Sequence, residues 1–309
     1  MACDCGKSPL KTLFLGNHTV GVVTIQTLLD VHEVVGAVVH PKDKEDGVRY
    51  ESVHDYCIHK GIPVVRGKGK DANILEFIIQ KSPDLIWTTD YRYLLPLEVL
   101  AIPPLGGVNL HPSLLPKYRG RAPINWAILN GGTDFGLTAH VLTEGMDDGD
   151  ILGQESFKLD ESEDVGDALN KLYPLYRSLT FKVATGLAQR NIQARPQDER
   201  LATVFPARRP KDGIINWDNS PQRVKNLVRA VAPPYPGAFT WVGSRKITIN
   251  QVELAKETTG SILPGTVIRK EKCSFTVACS QQAVKVIDFD AETETKEALV
   301  QGVVLGLGE

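Results

Sequence analysis

Residues 11–16 read KTLFLG and residues 33–40 read EVVGAVVH, two short apolar or β-branched runs separated by residues 20–29, where apolar side chains recur at i, i+3 and i+4. A continuous apolar run of this length reads as a strand buried on both faces, and the 3.6-residue period between them reads as a helix. The alternation continues outward: strand-like runs at 62–65, 84–88 (DLIWT) and 108–110 are interleaved with helical patterns at 53–60, 72–80 and 96–100. Strands and helices in strict alternation predict an α/β domain with a parallel sheet. Two further strand-like stretches, 136–142 and 151–157, flank the acidic loop 143–150 (TEGMDDGD) and predict antiparallel neighbours at the sheet edge. A long amphipathic helix over 165–190 follows the carboxylates of Asp160, Glu161, Glu163 and Asp164, which suit the positive end of a helix.

Residues 191–211 have proline and charge but no period, so they read as a linker, with a boundary near 205 between domains 1–204 and 205–309. Beyond it, a helical pattern at 221–231 precedes short strands at 238–242, 246–253, 265–269, 275–278 and 283–289, the signature of a small β-barrel.

Composition narrows the function. The chain has 309 residues, 42% hydrophobic and 23% charged, which is ordinary for a globular protein and allows two domains. Its formal charge of −2 gives no general attraction for nucleic acid or an acidic membrane, and a small-molecule partner is expected. No apolar run reaches the ~18–20 residues that span a bilayer, and residues 1–11 are polar, so the expected location is cytoplasmic. The five cysteines (Cys3, Cys5, Cys57, Cys273, Cys279) form no C-x-x-C pair and are read as free thiols; Cys3 and Cys5 supply too few ligands for a metal, and no metal site is expected. The first strand is followed by GNHTVG at 16–21, which lacks G-x-G-x-x-G, and GKGK at 67–70 lacks the frame of a phosphate-binding loop. G-x-S-x-G and H-E-x-x-H are both missing, which removes serine-hydrolase and zincin chemistry.

The chemistry concentrates in residues 107–123, GVNLHPSLLPKYRGRAP. Asn109 and His111 are two apart, so a strand sends both to one face, and Pro112 ends the ladder because it has no N–H. An amide donor and an imidazole thus meet at the carboxyl edge of a parallel sheet, where ligands bind. These two residues alone are equally consistent with a hydrogen-bonded structural pair. Lys117, Arg119 and Arg121, with Tyr118 among them, form either a cationic strip for a phosphorylated substrate or a solvated loop. Either Asp147 or Asp148 is within chain reach of His111 and would fix its tautomer and raise its basicity; a charged hairpin turn is the alternative.

N-x-H-x-S-L-L-P-x-Y-R-G at 109–120, followed by G-x-T-x-H…D-x-G-x-I at 136–151, resembles the formyltransferase family that uses N10-formyltetrahydrofolate. The resemblance covers residues 11–158 closely and 205–250 more loosely. It implies a Rossmann-like domain followed by a small, OB-like C-terminal β-barrel, with Asn109, His111 and Asp147 as the catalytic trio; seven residues from His140 selects Asp147, and Gly149 is the following glycine. By that analogy Asn109 donates to the developing oxyanion, His111 manages the amine proton and Asp147 raises and supports the imidazole. The pterin would lie against backbone at Arg92, Tyr93, Leu94 and Leu95 and against the 143–148 loop, with Gly145 and Asp148. Residues 90–96 (DYRYLLP), 118–123 (YRGRAP) and 228–239 (VRAVAPPYPGAF) look most like the formyltransferase half of the UDP-4-amino-4-deoxy-L-arabinose enzyme and like nucleotide-sugar N-formyltransferases. That implies a nucleotide-linked amino sugar as acceptor, contacted by Arg121, Asn125 and Tyr235, Tyr235 being equally consistent with a proline-rich core turn. The alternatives are methionyl-tRNA formyltransferase, a hydroxyornithine or other amino-acid formyltransferase, and a folate- or nucleotide-binding protein without turnover. Against the first, the 42–47 loop is mixed in charge rather than basic. The barrel would serve nucleotide contacts or the subunit contacts of a homodimer.

Overall fold

The computed structural model describes residues 8–41 and 50–306, so Cys3, Cys5 and the 42–47 loop lie outside the described residues. These residues gather into two compact units: one from Met1–Gly120, Asp134–Phe157 and Asn170–Phe205, the other from Arg121–Thr133, Lys158–Leu169 and Pro206–Glu309.

The first unit alternates as the sequence predicts: β1 (Lys11–Gly16), α1 (His18–Leu28), β2 (Glu33–Val39), α2 (Val53–Lys60), β3 (Val64–Arg66), α3 (Ala72–Lys81), β4 (Leu85–Thr89), α4 (Leu97–Leu100) and β5 (Gly107–His111). β6 (Arg119–Gly120), β7 (Asp134–Val141) and β8 (Ile151–Lys158) follow; α5 (Pro123–Leu129), between β6 and β7 in the chain, belongs to the second unit. The seven-stranded sheet runs in the order β3-β2-β1-β4-β5-β7-β8. Its first five strands pair in parallel and β7 is antiparallel to β5. Leu13, Phe14, Leu15, Ile86 and Trp87 are fully buried, as near-continuous apolar strands in a covered parallel sheet require. Leu13, Leu15 and Ile86 pack with Val38, Ile74, Ile78, Leu95 and Val99 in one cluster.

Local chemistry sets the element ends. Ser52 accepts from the Asp55 N–H (3.1 Å) at the start of α2, and Gly61 ends it in the left-handed conformation, φ 68°. The Asp164 carboxylate accepts from the Gly166 and Asp167 N–H groups (2.7 and 3.2 Å) at the start of α6 (Val165–Gln189), the end the acidic run predicts. β3 begins two residues later than the expected 62–65, because Pro63 has no N–H to place in the ladder; its carbonyl instead accepts from Ala37 (2.8 Å).

Residues 191–211, read as a linker, carry local pairings of their own. Arg195 exchanges both backbone hydrogen bonds with Ile151 (2.7 and 2.9 Å), Glu199–Leu201 forms a 3-10 turn, and β9 (Val204–Phe205) pairs in parallel with β6. Pairings of one or two residues leave no period to read.

In the second unit, α7 (Pro221–Ala230) starts at a Ser220 cap with proline in its first turn. β10 (Ala238–Val242), β11 (Arg245–Thr258), β12 (Val267–Lys270), β13 (Phe275–Ala278) and β14 (Gln282–Asp290) form an antiparallel sheet in the order β10-β11-β14-β13-β12, and α8 (Thr293–Ala298) follows. The tail joins its two edges: Gly306 bridges Trp241 of β10, and Val304 bridges Thr266, next to β12. This satisfies edge groups that would otherwise be open to pairing. Among the described residues no helix is long and apolar enough to cross a membrane. Cys57 and Cys279 are buried free thiols and Cys273 an exposed one.

Ile86 is fully buried in the central sheet. Ile86→Ala is expected to cost about 2–5 kcal/mol, read from the urea midpoint at constant slope; a loss below about 1 kcal/mol would show that this strand does not carry the core.

Candidate active site

Asn109 and His111 leave the same face of β5, and β7 lies beside them with His140 opposite Asn109 and Thr138 opposite His111. Thr88 of β4 donates through Oγ1 to the Asn109 Oδ1 (2.7 Å), which turns the amide nitrogen toward the site. That nitrogen meets His140 Nε2 at 3.0 Å and donates to the Asp147 Oδ1 at 3.3 Å. The His140 Nδ1 donates to the Val141 carbonyl (2.9 Å), so in the network its Nε2 is the acceptor.

The turn after β5 is built to aim two backbone groups. Tyr118 adopts a left-handed φ of 61°, and its carbonyl accepts from the His111 Nε2 at 2.8 Å. Gly120, at φ 97°, donates its N–H to the Asp147 Oδ2 at 2.8 Å. A Cβ there would lie 2.4 Å from the Phe205 carbonyl oxygen, so only glycine fits. Asp147 is itself left-handed, φ 55°, an uncommon conformation that persists where surrounding contacts hold it. Its carboxylate faces the His111 Nδ1 and the His140 Nε2, each at 3.5 Å. Asp148 turns the other way and accepts from the Thr143 hydroxyl, so Asp147 is the residue that meets the imidazole.

The His111 side chain is 5% exposed and that of Asp147 14%. Burial holds the His111 pKa below its ordinary value, outweighing the Asp147 carboxylate and the Tyr118 carbonyl, which raise it; His140 adds to the lowering. The expectation that Asp147 lifts His111 above its ordinary value is therefore overturned: desolvation of the imidazolium exceeds the attraction of the carboxylate. For Asp147, burial pushes upward, but His111, His140 and the Gly120 N–H together pull it well below the usual carboxylate range. At neutral pH the site thus holds a neutral imidazole whose Nδ1 faces an ionised carboxylate. A proton delivered to Nδ1 is met by Asp147, and the Asn109 amide lies beside them: a base, its support and a hydrogen-bond donor for a developing negative charge.

Other residues fare differently. Arg119 is not part of a free cationic strip: it is buried, with Nη1 and Nη2 donating to Glu199 (3.0 and 2.6 Å) and Nε and Nη2 to the Gln197 Oε1 (3.2 and 2.8 Å). The Arg92 N–H donates to the His40 Nε2 (3.1 Å), and Lys68 lies over the Tyr93 ring. The Leu94 side chain is exposed, whereas Leu95 belongs to the core cluster. Gly145 donates its N–H to Thr143 (3.2 Å). Arg121, Asn125 and Tyr235 fall in the second unit, whereas the trio falls in the first; Asn125 is buried and donates to the Ala230 carbonyl (2.7 Å). Sequence reasoning assigned no role to His140 beyond a counting mark and none to His40 or Gln197. The alternation of β7 signals that His140 shares the Asn109 face, and nothing local signals Gln197.

Residues 16–179 match the formyl transferase family and residues 208–301 its C-terminal domain. Among solved structures, the chain is similar to WlaRD, a sugar 3N-formyltransferase with dTDP and 5-N-formyl-THF, at 17% identity and TM-score 0.67 over 91% of this chain and 98% of that one. It is similar to an N-formyltransferase from Helicobacter canadensis in complex with folinic acid and dTDP-3-aminofucose, at 16% identity and TM-score 0.64 over 91% and 100%. It is also similar to HypX from Aquifex aeolicus in complex with tetrahydrofolic acid, at 17% identity and TM-score 0.59 over 93% of this chain and 45% of that one. At such identities these likenesses establish a shared fold.

Because their pKa values are depressed by folding, His111 and Asp147 each contribute stability that is present above the ordinary value and lost as pH falls through the folded one. A histidine NMR titration is expected to place the His111 midpoint below ~6.5, and lower still in Asp147→Asn; a midpoint above ~6.5 would mean that the carboxylate, not burial, governs the ring.

Proposed function

The chain belongs to the formyl transferase family, and from that premise we propose that it transfers the formyl group of N10-formyltetrahydrofolate to the amine of a nucleotide-linked amino sugar. The observation that carries this reading is the mostly buried pair of a neutral His111 and an ionised Asp147 with the Asn109 amide beside it. An acylation of nitrogen needs a neutral amine, a place for its proton and a donor for the carbonyl oxygen as it becomes an oxyanion.

The folate supplies the formyl group, carried on N10. His111 accepts the proton of the attacking amine at Nδ1 while Nε2 keeps its bond to the Tyr118 carbonyl, so the ring does not turn as it charges. Asp147 stabilises the imidazolium. Asn109 exchanges its 3.3 Å contact with Asp147, the longer of its two, for the developing oxyanion. As the new C–N bond to the sugar amine forms and the bond to N10 breaks, His111 returns its proton to the departing nitrogen, and both atoms and charge balance.

The loop after β4 suits the pterin. It leaves the same sheet edge as His111, since β4 and β5 are parallel neighbours, and its anchored Leu95 beside an exposed Leu94 offers an apolar surface with adjacent backbone groups. Arg92, Tyr93, Gly145 and Asp148 complete the proposed folate contacts. Arg121 and Tyr235 are proposed for the phosphates and base of the acceptor, with Asn125 as the tie that fixes α5 to α7. The resemblance in residues 90–96, 118–123 and 228–239, together with the dTDP bound by one protein of the same fold and the dTDP-3-aminofucose bound by another, supports a nucleotide sugar over tRNA.

The test is formyl transfer from N10-formyltetrahydrofolate to a panel of amines: UDP- and dTDP-linked 3- and 4-amino sugars, methionyl-tRNA and hydroxyornithine. Turnover of an amino sugar is expected; turnover of methionyl-tRNA or hydroxyornithine alone would reassign the acceptor, and none on any amine would leave a binding protein. Asn109→Ala is expected to lower kcat by about 10²–10³, and equal turnover by wild type and His111→Ala would remove the imidazole from the reaction.

A further inference from the structure

One side chain of the 191–203 segment touches the loop that carries Asp147. Gln197 donates through Nε2 to the carbonyls of Asp147 (2.8 Å) and Gly149 (2.7 Å). Its Oε1 accepts from Arg119, whose guanidinium is held from the other side by Glu199. Arg119 lies between Tyr118, whose carbonyl holds the His111 ring, and Gly120, whose N–H holds the Asp147 carboxylate. The carboxamide therefore ties the main chain of Asp147 to the short strand that fixes both reacting groups.

We propose that Gln197 is a positioning residue for the transfer: it holds the left-handed backbone at Asp147 so that the carboxylate meets His111 Nδ1. This rests on the reading of His111 and Asp147 as the reacting pair. A glutamine is what the geometry asks for, because two N–H donors and an acceptor in one plane are needed at once. Glutamate keeps the acceptor for Arg119 but loses both donors and sets a carboxylate against two carbonyls; asparagine is one methylene shorter. Gln197 is far from Asp147 in sequence and carries no proton in the reaction, so its effect runs entirely through where Asp147 sits.

The experiment compares Gln197→Met and Gln197→Glu with wild type and Asp147→Asn in the full chain, by steady-state kinetics, His111 NMR titration and thermal midpoint. Both Gln197 variants are expected to lose about ten- to a hundredfold in kcat, with KM for N10-formyltetrahydrofolate within about twofold. The His111 midpoint should move down, in the direction of Asp147→Asn and by less, because a displaced carboxylate raises the ring less. Arg119→Met added to Gln197→Met should cost little beyond the single change, since both break one connection. Wild-type kcat with an unmoved His111 midpoint would overturn the proposal. So would a lowered thermal midpoint with an unmoved His111, which is what a merely structural residue gives. The NMR titration needs no substrate: if wild type formylates no amine yet Gln197→Met still lowers the His111 midpoint, the tie to Asp147 stands and the formyl-transfer reading falls.

Discussion

An ionised carboxylate taken out of water must be met by donors from the protein, or it takes up a proton instead. Asp147 is held in this way, by the Gly120 N–H and the Asn109 amide. The rest of the site follows from that requirement. The glycine at 120, the left-handed backbone at Tyr118 and Asp147, and the pairing of β6 with β9 are the devices that bring those donors to one carboxylate. The same burial that makes the carboxylate costly keeps His111 neutral, and a neutral imidazole is the form that accepts a proton from an amine.

The sheet contributes a rigid frame. Parallel β4 and β5 bring Thr88 alongside Asn109, and the reversal of direction at β7 places His140 across from it, so three strands orient one amide. Side chains on strands are held within tighter limits than those on loops, which suits groups that must meet a reacting atom. Asp147 is the exception, a catalytic candidate on a loop, and its left-handed backbone is held through its carbonyl by Gln197.

Much of this was legible in the sequence, and the reasons are physical. β1, β10 and β13 have the expected bounds because apolar runs end at turn residues. The shared face of Asn109 and His111 follows from the two-residue period of a strand. Choosing between Asp147 and Asp148 needed the family spacing, since a tight loop can turn either neighbour inward. The sign of the His111 shift was not legible, because burial is a property of the whole unit, whereas the carboxylate partner was visible as a motif. Within residues 191–211, read as a linker, Gln197 meets residues some fifty positions earlier through single hydrogen bonds, which leave no periodic trace.

The charge state at the centre of the site is tested most directly by isotope-edited infrared spectroscopy of the Asp147 carboxyl, taken as the difference between wild type and Asp147→Asn across pH 7 to 4. The carboxylate stretch is expected to persist throughout while His111 takes up its proton first. A protonated C=O band for Asp147 growing in before the imidazole charges would contradict it.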